Sequence, residues 1–288
     1  MTDSAAAHYV LTLRSEDHPG ILAALTQALL PLGGDIRDAV QYGDPDTGLF
    51  FVRLHFTVPP AQAMALGPAL QAVATREGFD CRLHELARPL RSVIAVSRDG
   101  HCLNDLLHRW QAGQLPTEIV AIVSNHEDLR PLAEWHGHGL RFVHLPTSPE
   151  RRAEQEAALL GLLEQEAVDL LVLARYMQIL SDDLCRQLAG RCINIHHSFL
   201  PSFKGARPYH RAHARGVKLI GATAHYVTAD LDEGPIIEQD VIRVNHATSA
   251  AEMVAQGREV EARVLARAVR WHLEHRVMLD GHKTVVFS

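Results

Sequence analysis

Aromatic residues are scarce in this sequence, at 6%, and it has no block of clustered lysine or arginine. Phosphate recognition needs concentrated positive charge, so a chain of net charge -6 without such a block is not expected to bind nucleic acid or anionic lipid. The four cysteines, Cys81, Cys102, Cys185 and Cys192, form no CxxC pair and lie far apart. Neither a zinc knuckle nor a disulfide framework is signalled, and they read as reduced thiols. Residues 1–8 lack a basic region followed by an apolar run, and no later stretch approaches the roughly 20 apolar residues of a spanning helix. The expected location is therefore cytoplasmic, with no membrane partner. There is no internal repeat and no low-complexity segment. What is present is ordinary globular composition, 47% apolar and 22% charged, over 288 residues, enough for two domains.

The chain changes texture once. Residues 9–13 alternate in strand fashion, residues 15–20 carry turn chemistry, and Ile21, Leu22, Leu25, Leu29 and Leu30 follow at helical spacing. Gly33-Gly34 stops that helix. Two extended stretches, 36–42 and 49–58, flank a turn-rich segment and read as a hairpin; a helix over 61–77 and a strand over 80–85 complete the order βαββαβ, a ferredoxin-like unit. Arg88-Pro89-Leu90-Arg91 marks a boundary, which divides the chain into domains 1–88 and 89–288. Beyond it, short apolar runs at 93–96, 119–123, 142–145, 170–173 and 193–195 are interleaved with helical patterns at 103–110, 151–166 and 182–188. Strands alternating with helices predict a doubly wound, mostly parallel α/β domain with its site at the carboxyl ends of the strands. Extended segments at 221–227 and 236–244 enlarge the sheet, and a long amphipathic helix over 250–275 closes the domain.

Two clusters can carry chemistry. Asn194 and His196 are two apart on a strand, so they share a face. An amide donor beside an imidazole is what a carbonyl needs to become a tetrahedral oxyanion; the same pair equally suits a strand-end Asn and His bonded to the following loop. Asp230-Leu231-Asp232-Glu233-Gly234-Pro235 puts three carboxylates into four residues at a turn. One of them, held near His196, would orient it and move a proton; without a partner, the run is a solvated loop. Spacing does not say which carboxylate faces His196. The 19 histidines raise a metal hypothesis through His136-x-His138, His196-His197 and His210-x-x-His213. Neighbours on a strand point to opposite faces, which separates His196 from His197, and no HExxH accompanies the others, so no metal is expected. Ser198 sits in no GxSxG elbow and reads as a loop hydrogen-bonding residue.

The stretch from Asn194 to Gly205, with Gly221-Ala222-Thr223-Ala224-His225-Tyr226-Val227 and Leu231-Asp232-Glu233-Gly234-Pro235-Ile236-Ile237, resembles the folate-dependent formyltransferase superfamily, and His197-Ser198-Phe199-Leu200 with Ala206-Arg207-Pro208-Tyr209-His210 resembles its formyltetrahydrofolate deformylase branch. The resemblance covers nearly the whole chain. It implies Asn194, His196 and Asp232 as the catalytic triad, Tyr176, Met177, Gln178, Ile179, Leu180 and Ser198 as substrate-binding residues, and hydrolysis of 10-formyltetrahydrofolate to tetrahydrofolate and formate, feeding purine synthesis and balancing the one-carbon folate pool. Folate is then the substrate and no cofactor is implied. The glycinamide ribonucleotide branch usually has Pro where His197 stands and carries a glycine-rich phosphate loop; here Ser97-Arg98-Asp99-Gly100-His101-Cys102 has a single glycine, which disfavours a phosphorylated acceptor. Formyl transfer to an amine acceptor by the same triad is the alternative. A sensor on an inactive scaffold is the non-enzymatic one.

The N-terminal unit, with Asp17-His18-Pro19-Gly20 before its first helix, resembles the ACT module. That implies a regulatory role with glycine or methionine as effector at Asp17, His18, Pro19 and Gly20, and pairing into a homo-oligomer. The same loop also suits an ordinary turn and cap.

Overall fold

The computed structural model describes residues 6–136, 139–200 and 208–288. The chain forms two compact units, one comprising the residues up to Pro89 with His275–Met278 and Val285–Ser288, the other Leu90–Glu274 with Leu279–Thr284.

The first unit runs β1 (Ala7–Glu16), α1 (Ile21–Leu29), β2 (Asp35–Asp44), β3 (Leu49–Val58), α2 (Ala63–Glu77) and β4 (Asp80–Glu85). Its sheet has the order β2-β3-β1-β4, all antiparallel, with Leu11 opposite both Leu54 and Leu83. The period of two along β1 and β3 sends Tyr9, Leu11, Leu13, Leu54 and Phe56 to one face, where Ile21, Leu25 and Leu29 of α1 and Leu66, Leu70 and Val73 of α2 pack on them. This is the expected ferredoxin-like order. The boundary at the far end of the chain differs from the sequence reading, which gave everything after 88 to the second domain. The last long helix stops at Leu273, His275 takes a left-handed φ of 53° and stacks on His84 at 3.7 Å, and the tail returns to the first unit.

The second unit continues with β5 (Leu90–Val96), α3 (His101–Gln111), β6 (Thr117–Ser124), α4 (Arg130–His136), β7 (Phe142–His144), α5 (Arg152–Gln165), β8 (Leu170–Leu173), α6 (Asp182–Gln187), β9 (Cys192–His196), α7 (Pro208–Arg215), β10 (Leu219–Tyr226), β11 (Ile236–Arg243) and α8 (Ala250–Leu273); a terminal hairpin follows, β12 (Val277–Asp280) and β13 (Lys283–Val286). The seven-stranded sheet has the order β11-β10-β9-β8-β5-β6-β7. β5 to β9 are mutually parallel, and β10 runs against β9 and β11. The parallel strands are apolar nearly throughout because both faces are covered: Val93, Ala95, Ala121 and Leu171 pack with Leu159, Leu162 and Leu163 of α5 and Leu184 of α6. On α8, Val264, Leu265 and Val269 are buried, and its start is secured by a capping box between Ser249 and Glu252. α4, α7 and the terminal hairpin are elements the sequence reading passed over.

The topology decides where a ligand can go. β5 continues to β6 on one side and is flanked on the other by β8, so the strand order reverses between β5 and β8 and their carboxyl ends open a crevice. Among the described residues no helix is long and apolar enough to cross a membrane.

Candidate active site

Strand pairing brings the first residues together. The antiparallel register of β9 and β10 sets Asn194 opposite His225 and His196 opposite Thr223. His225 is buried, and its Nδ1 donates to the Tyr226 carbonyl at 2.9 Å, so in the neutral ring Nε2 is the acceptor. Asn194 Nδ2 lies 3.3 Å from that Nε2 and donates to it. Burial is the main cause that pushes the His225 pKa down and keeps the ring neutral. One N–H of the Asn194 amide is thereby committed and its second is left to point elsewhere.

The third residue arrives on the loop between β10 and β11. Asp232 Oδ1 lies 3.2 Å from His196 Nδ1 and 3.8 Å from His225 Nε2. Asp232 itself has a φ of 59°, a left-handed backbone that Asp tolerates better than most residues and that is retained only where surroundings enforce it. The enforcement is visible: Tyr226 N donates to the Pro235 carbonyl at 2.9 Å, Glu233 N to that of Asp230 at 3.2 Å, and Gly234 lies so close to the Tyr226 carbonyl that no side chain fits between them. Burial pushes the Asp232 carboxyl up, but the His196 hydrogen bond and the surrounding imidazoles outweigh it and hold it below the usual carboxylate range. Of the three carboxylates in the loop, Asp232 is the one that meets His196.

His196 is 7% exposed, and its Nε2 finds no partner among the described residues. With Nδ1 turned to the Asp232 carboxylate, Nε2 is the ring nitrogen that His196 offers to a ligand. Asn194 and His196 can then donate to one oxyanion while Asp232 accepts a proton, an arrangement suited to acyl or formyl chemistry. The expectation that His196 and His197 face apart is wrong. β9 ends at His196, so the alternation no longer applies, and the two rings stack at 4.8 Å with 19° between their planes. Beyond them the chain is pinned to β10 by Thr223, whose hydroxyl donates to the Ser198 carbonyl at 3.0 Å and accepts from Leu200 N at 3.1 Å.

A cavity of 480 Å³ opens between helix α5 and the segments that follow β6, β7 and β8; Asn194, His196 and Asp232 are not in its wall. Tyr176, Gln178, Ile179 and Leu180 line it. Met177 does not: the residue is 59% exposed, and its backbone N–H donates to Ser97 Oγ at 3.0 Å, while that hydroxyl donates to Asn125 Oδ1 at 2.7 Å. Ser198 is buried two residues beyond the end of β9 and is not in the cavity wall. The rest of the lining, including Asn125, His126, Arg152, Gln155 and Glu156, was not picked out from the sequence, because these residues come from the ends of β6 and from α5 and carry no motif. His225 was also missed as a site residue; it lay inside a quoted motif, but only the antiparallel register shows that it faces Asn194.

In the first unit, Asp17, His18, Pro19 and Gly20 form the loop into α1: Asp17 N bonds to the Gly48 carbonyl at 2.8 Å, His18 stacks on Phe79 at 6.0 Å, and Gly20, at φ 101°, precedes the helix. The group among the described residues with metal-ligand spacing is His101, Cys102 and Glu261, none of which the sequence reading had named as ligands. His138 and residues 201–207, which include Lys204, Gly205, Ala206 and Arg207, lie outside the described residues.

Comparison with known proteins decides the family. The formyl transferase family model matches residues 90–269. A formyltetrahydrofolate deformylase from a Corynebacterium species is 47% identical over 285 residues, 98% of this chain and 99% of the relative. The chain belongs to the formyltetrahydrofolate deformylase family. The crystal structure of the deformylase from Burkholderia mallei superposes with a TM-score of 0.93 at 47% identity, covering 98% of this chain and all of that one. Glycinamide ribonucleotide transformylase 1 from Symbiobacterium toebii reaches 0.62 at 28% identity, over 69% of this chain and 95% of its own. Deformylase relatives thus match both units, whereas that transformylase matches a share of the chain close to the second unit alone.

Proposed function

We propose that the chain hydrolyses 10-formyltetrahydrofolate to tetrahydrofolate and formate. The observation that carries this is the convergence of Asn194, His196 and Asp232 at one end of β9, in a chain whose full-length relatives are formyltetrahydrofolate deformylases. Water attacks the formyl carbon, and the developing oxyanion is held by the free N–H of Asn194 and by Nε2–H of His196. Asp232 positions the water, takes its proton and passes it towards N10 as the C–N bond breaks. Tyr176, Gln178, Ile179 and Leu180, in the wall of the 480 Å³ cavity, receive the pterin, with Met177 contributing backbone and Ser198 supporting the triad strand. The substrate supplies the reactive group, and the steps use neither metal nor cofactor.

The ferredoxin-like unit serves as an ACT regulatory module, with glycine or methionine at Asp17, His18, Pro19 and Gly20, and its sheet supports a homo-oligomer. The enzyme works in the cytoplasm, where its formate supplies purine synthesis and its turnover balances the one-carbon pool. The deciding experiment is formate release from 10-formyltetrahydrofolate with no acceptor added, native chain against His196→Ala. Steady release lost in the variant supports hydrolysis; release only when an amine acceptor is supplied replaces it with formyl transfer. Calorimetric titration with each amino acid and equilibrium sedimentation test the effector and the oligomer, and absent heat or a pure monomer removes them.

A further inference from the structure

One group of charged side chains outside the triad collects around Arg175. Arg175 follows β8 in a left-handed conformation of φ 64°, which L residues keep only where their surroundings impose it. Its Nη1 is 2.8 Å from His197 Nδ1, its Nη2 3.5 Å from Asp99 Oδ2 and its Nε 3.4 Å from Glu261 Oε2. Glu261, on α8, is 1% exposed; it also accepts from the Tyr209 hydroxyl at 2.7 Å and pairs with His101 at 2.8 Å. Arg258 holds the other oxygen of Asp99 at 3.1 Å. Three elements are therefore spent on placing one guanidinium against one imidazole, and that imidazole is the ring stacked on His196.

We propose that Arg175 is a positioning residue of the reaction: it holds His197 as a neutral ring with its proton on Nε2, so that of the two stacked histidines only His196 pairs with Asp232 and donates to the oxyanion. The inference rests on the hydrolytic reading for its kinetic consequence and on geometry for its chemistry. A guanidinium has five donors and no acceptor, so the contact at 2.8 Å makes His197 Nδ1 the acceptor and leaves the proton on Nε2. Protonating Nδ1 would break that bond and set two positive charges against each other, with a third from His196 across the stack. The groups facing His197 are Arg175 from the loop after β8, His196 from β9, Glu261 from α8 and Asp232 from the loop before β11. Burial first, then Arg175 and His196, push its pKa down to about 4, against the opposite pull of Glu261 and Asp232. Asp232 thereby keeps its charge for His196. His197 Nε2 is buried and unpartnered among the described residues, a fixed donor whose state does not change over the working pH range.

The test is long-range 15N–1H NMR of the full chain with 15N-labelled histidine, His197 being assigned from the signals lost in His197→Gln. The expected result is a neutral Nε2–H pattern that does not titrate between about pH 5.5 and 8. In Arg175→Met, the His197 midpoint should rise while burial still holds it below the ordinary value, and formate release should fall more than native between about pH 8 and 6, by up to about four-fold, the limit set by the charged fraction at an ordinary histidine pKa of about 6.5. In a His197→Phe background, the same Arg175→Met change should alter kcat less than about two-fold, since the residue it acts through is gone. Arg175→Lys keeps a positive charge beside Glu261, and so the fold, but loses the fixed fork; it should move the same signals in the same direction. An Nδ1–H tautomer, a native His197 midpoint above about pH 6, or independent losses in the double variant would overturn the proposal. A native chain that releases no formate would instead fail the hydrolytic reading and leave the NMR result to decide the tautomer.

Discussion

Gly234→Ala is the sharpest single perturbation of the loop that carries Asp232. A Cβ at this position would collide with the Tyr226 carbonyl oxygen, lie 2.9 Å from the Tyr226 carbonyl carbon and reach 3.2 Å from His225 Nδ1. Carbon atoms in contact sit at about 3.5–4.0 Å, so the loop must retreat by roughly 1 Å. The obstacles are strand backbone and a histidine already bonded to that backbone, and neither can yield as a flexible side chain would. The retreat loosens the 2.9 Å bond from Tyr226 N to Pro235 O and carries Asp232, two residues away, off His196. Overpacking of this kind costs about 1–3 kcal/mol, which at roughly 2–4 °C per kcal/mol for a unit of this size lowers the melting temperature by about 2–12 °C. A 1 Å misplacement of a catalytic group costs on the order of 10²-fold in turnover. Differential scanning calorimetry and acceptor-free formate release measure the two effects side by side. A variant that melts early yet turns over at the native rate would refute the claim that this close approach is what aims Asp232.

Three other outcomes follow from the same geometry. Asp232→Asn should keep the fold, since Asn accepts the left-handed φ of 59° as well as Asp does, while formate release falls about 10²–10⁴-fold; Asp232→Ala should lose the same activity and roughly a further 1 kcal/mol of stability, and equal melting points for the two would argue against a strained backbone. His84 and His197 are both driven down to about 4, burial being the first cause in each. Because these folded values lie below the ordinary 6.5, the unfolded chain binds more protons between about pH 4 and 6.5, so stability rises with pH across that window and is lost as pH falls through it. At about 1.4 kcal/mol per pKa unit each ring accounts for up to roughly 3 kcal/mol, and urea unfolding at several pH values should flatten for His84→Gln; an unchanged slope would show that ring to be solvated. Tyr209→Phe removes the hydroxyl bonded at 2.7 Å to the buried Glu261 and should cost about 1.5–3 kcal/mol in thermal melting, and a native melting temperature would mean that Glu261 is satisfied without it.

Local periodicity by itself determined most of the architecture. Alternation in residues 9–13 and 49–58 and helical spacing from Ile21 to Leu29 specify the βαββαβ unit, and short buried apolar runs between helical segments specify a parallel sheet, because side-chain period and strand burial are properties of consecutive residues. The spacing of Asn194 and His196 put an amide and an imidazole on one face for the same reason. The terminal hairpin was also written locally, in Asp280-Gly281, the dipeptide that favours tight hairpins, but its strands of four residues are too short to show a period. Tertiary structure decided what depends on pairing between distant segments. Which carboxylate of the 230–235 loop meets His196, and that His225 bonds to Asn194, follow from the antiparallel register of β10 on β9 and from the close approach at Gly234. His197 turned towards His196 because the strand ends one residue before it, a boundary fixed by tertiary hydrogen bonds at Thr223. The polar cavity wall from β6 and α5, and the network from Asp99, Glu261 and Tyr209 to Arg175, join residues up to about 160 positions apart, as the His101 to Glu261 contact does. Separation of that kind leaves no periodic trace, since only the folded chain makes those residues neighbours.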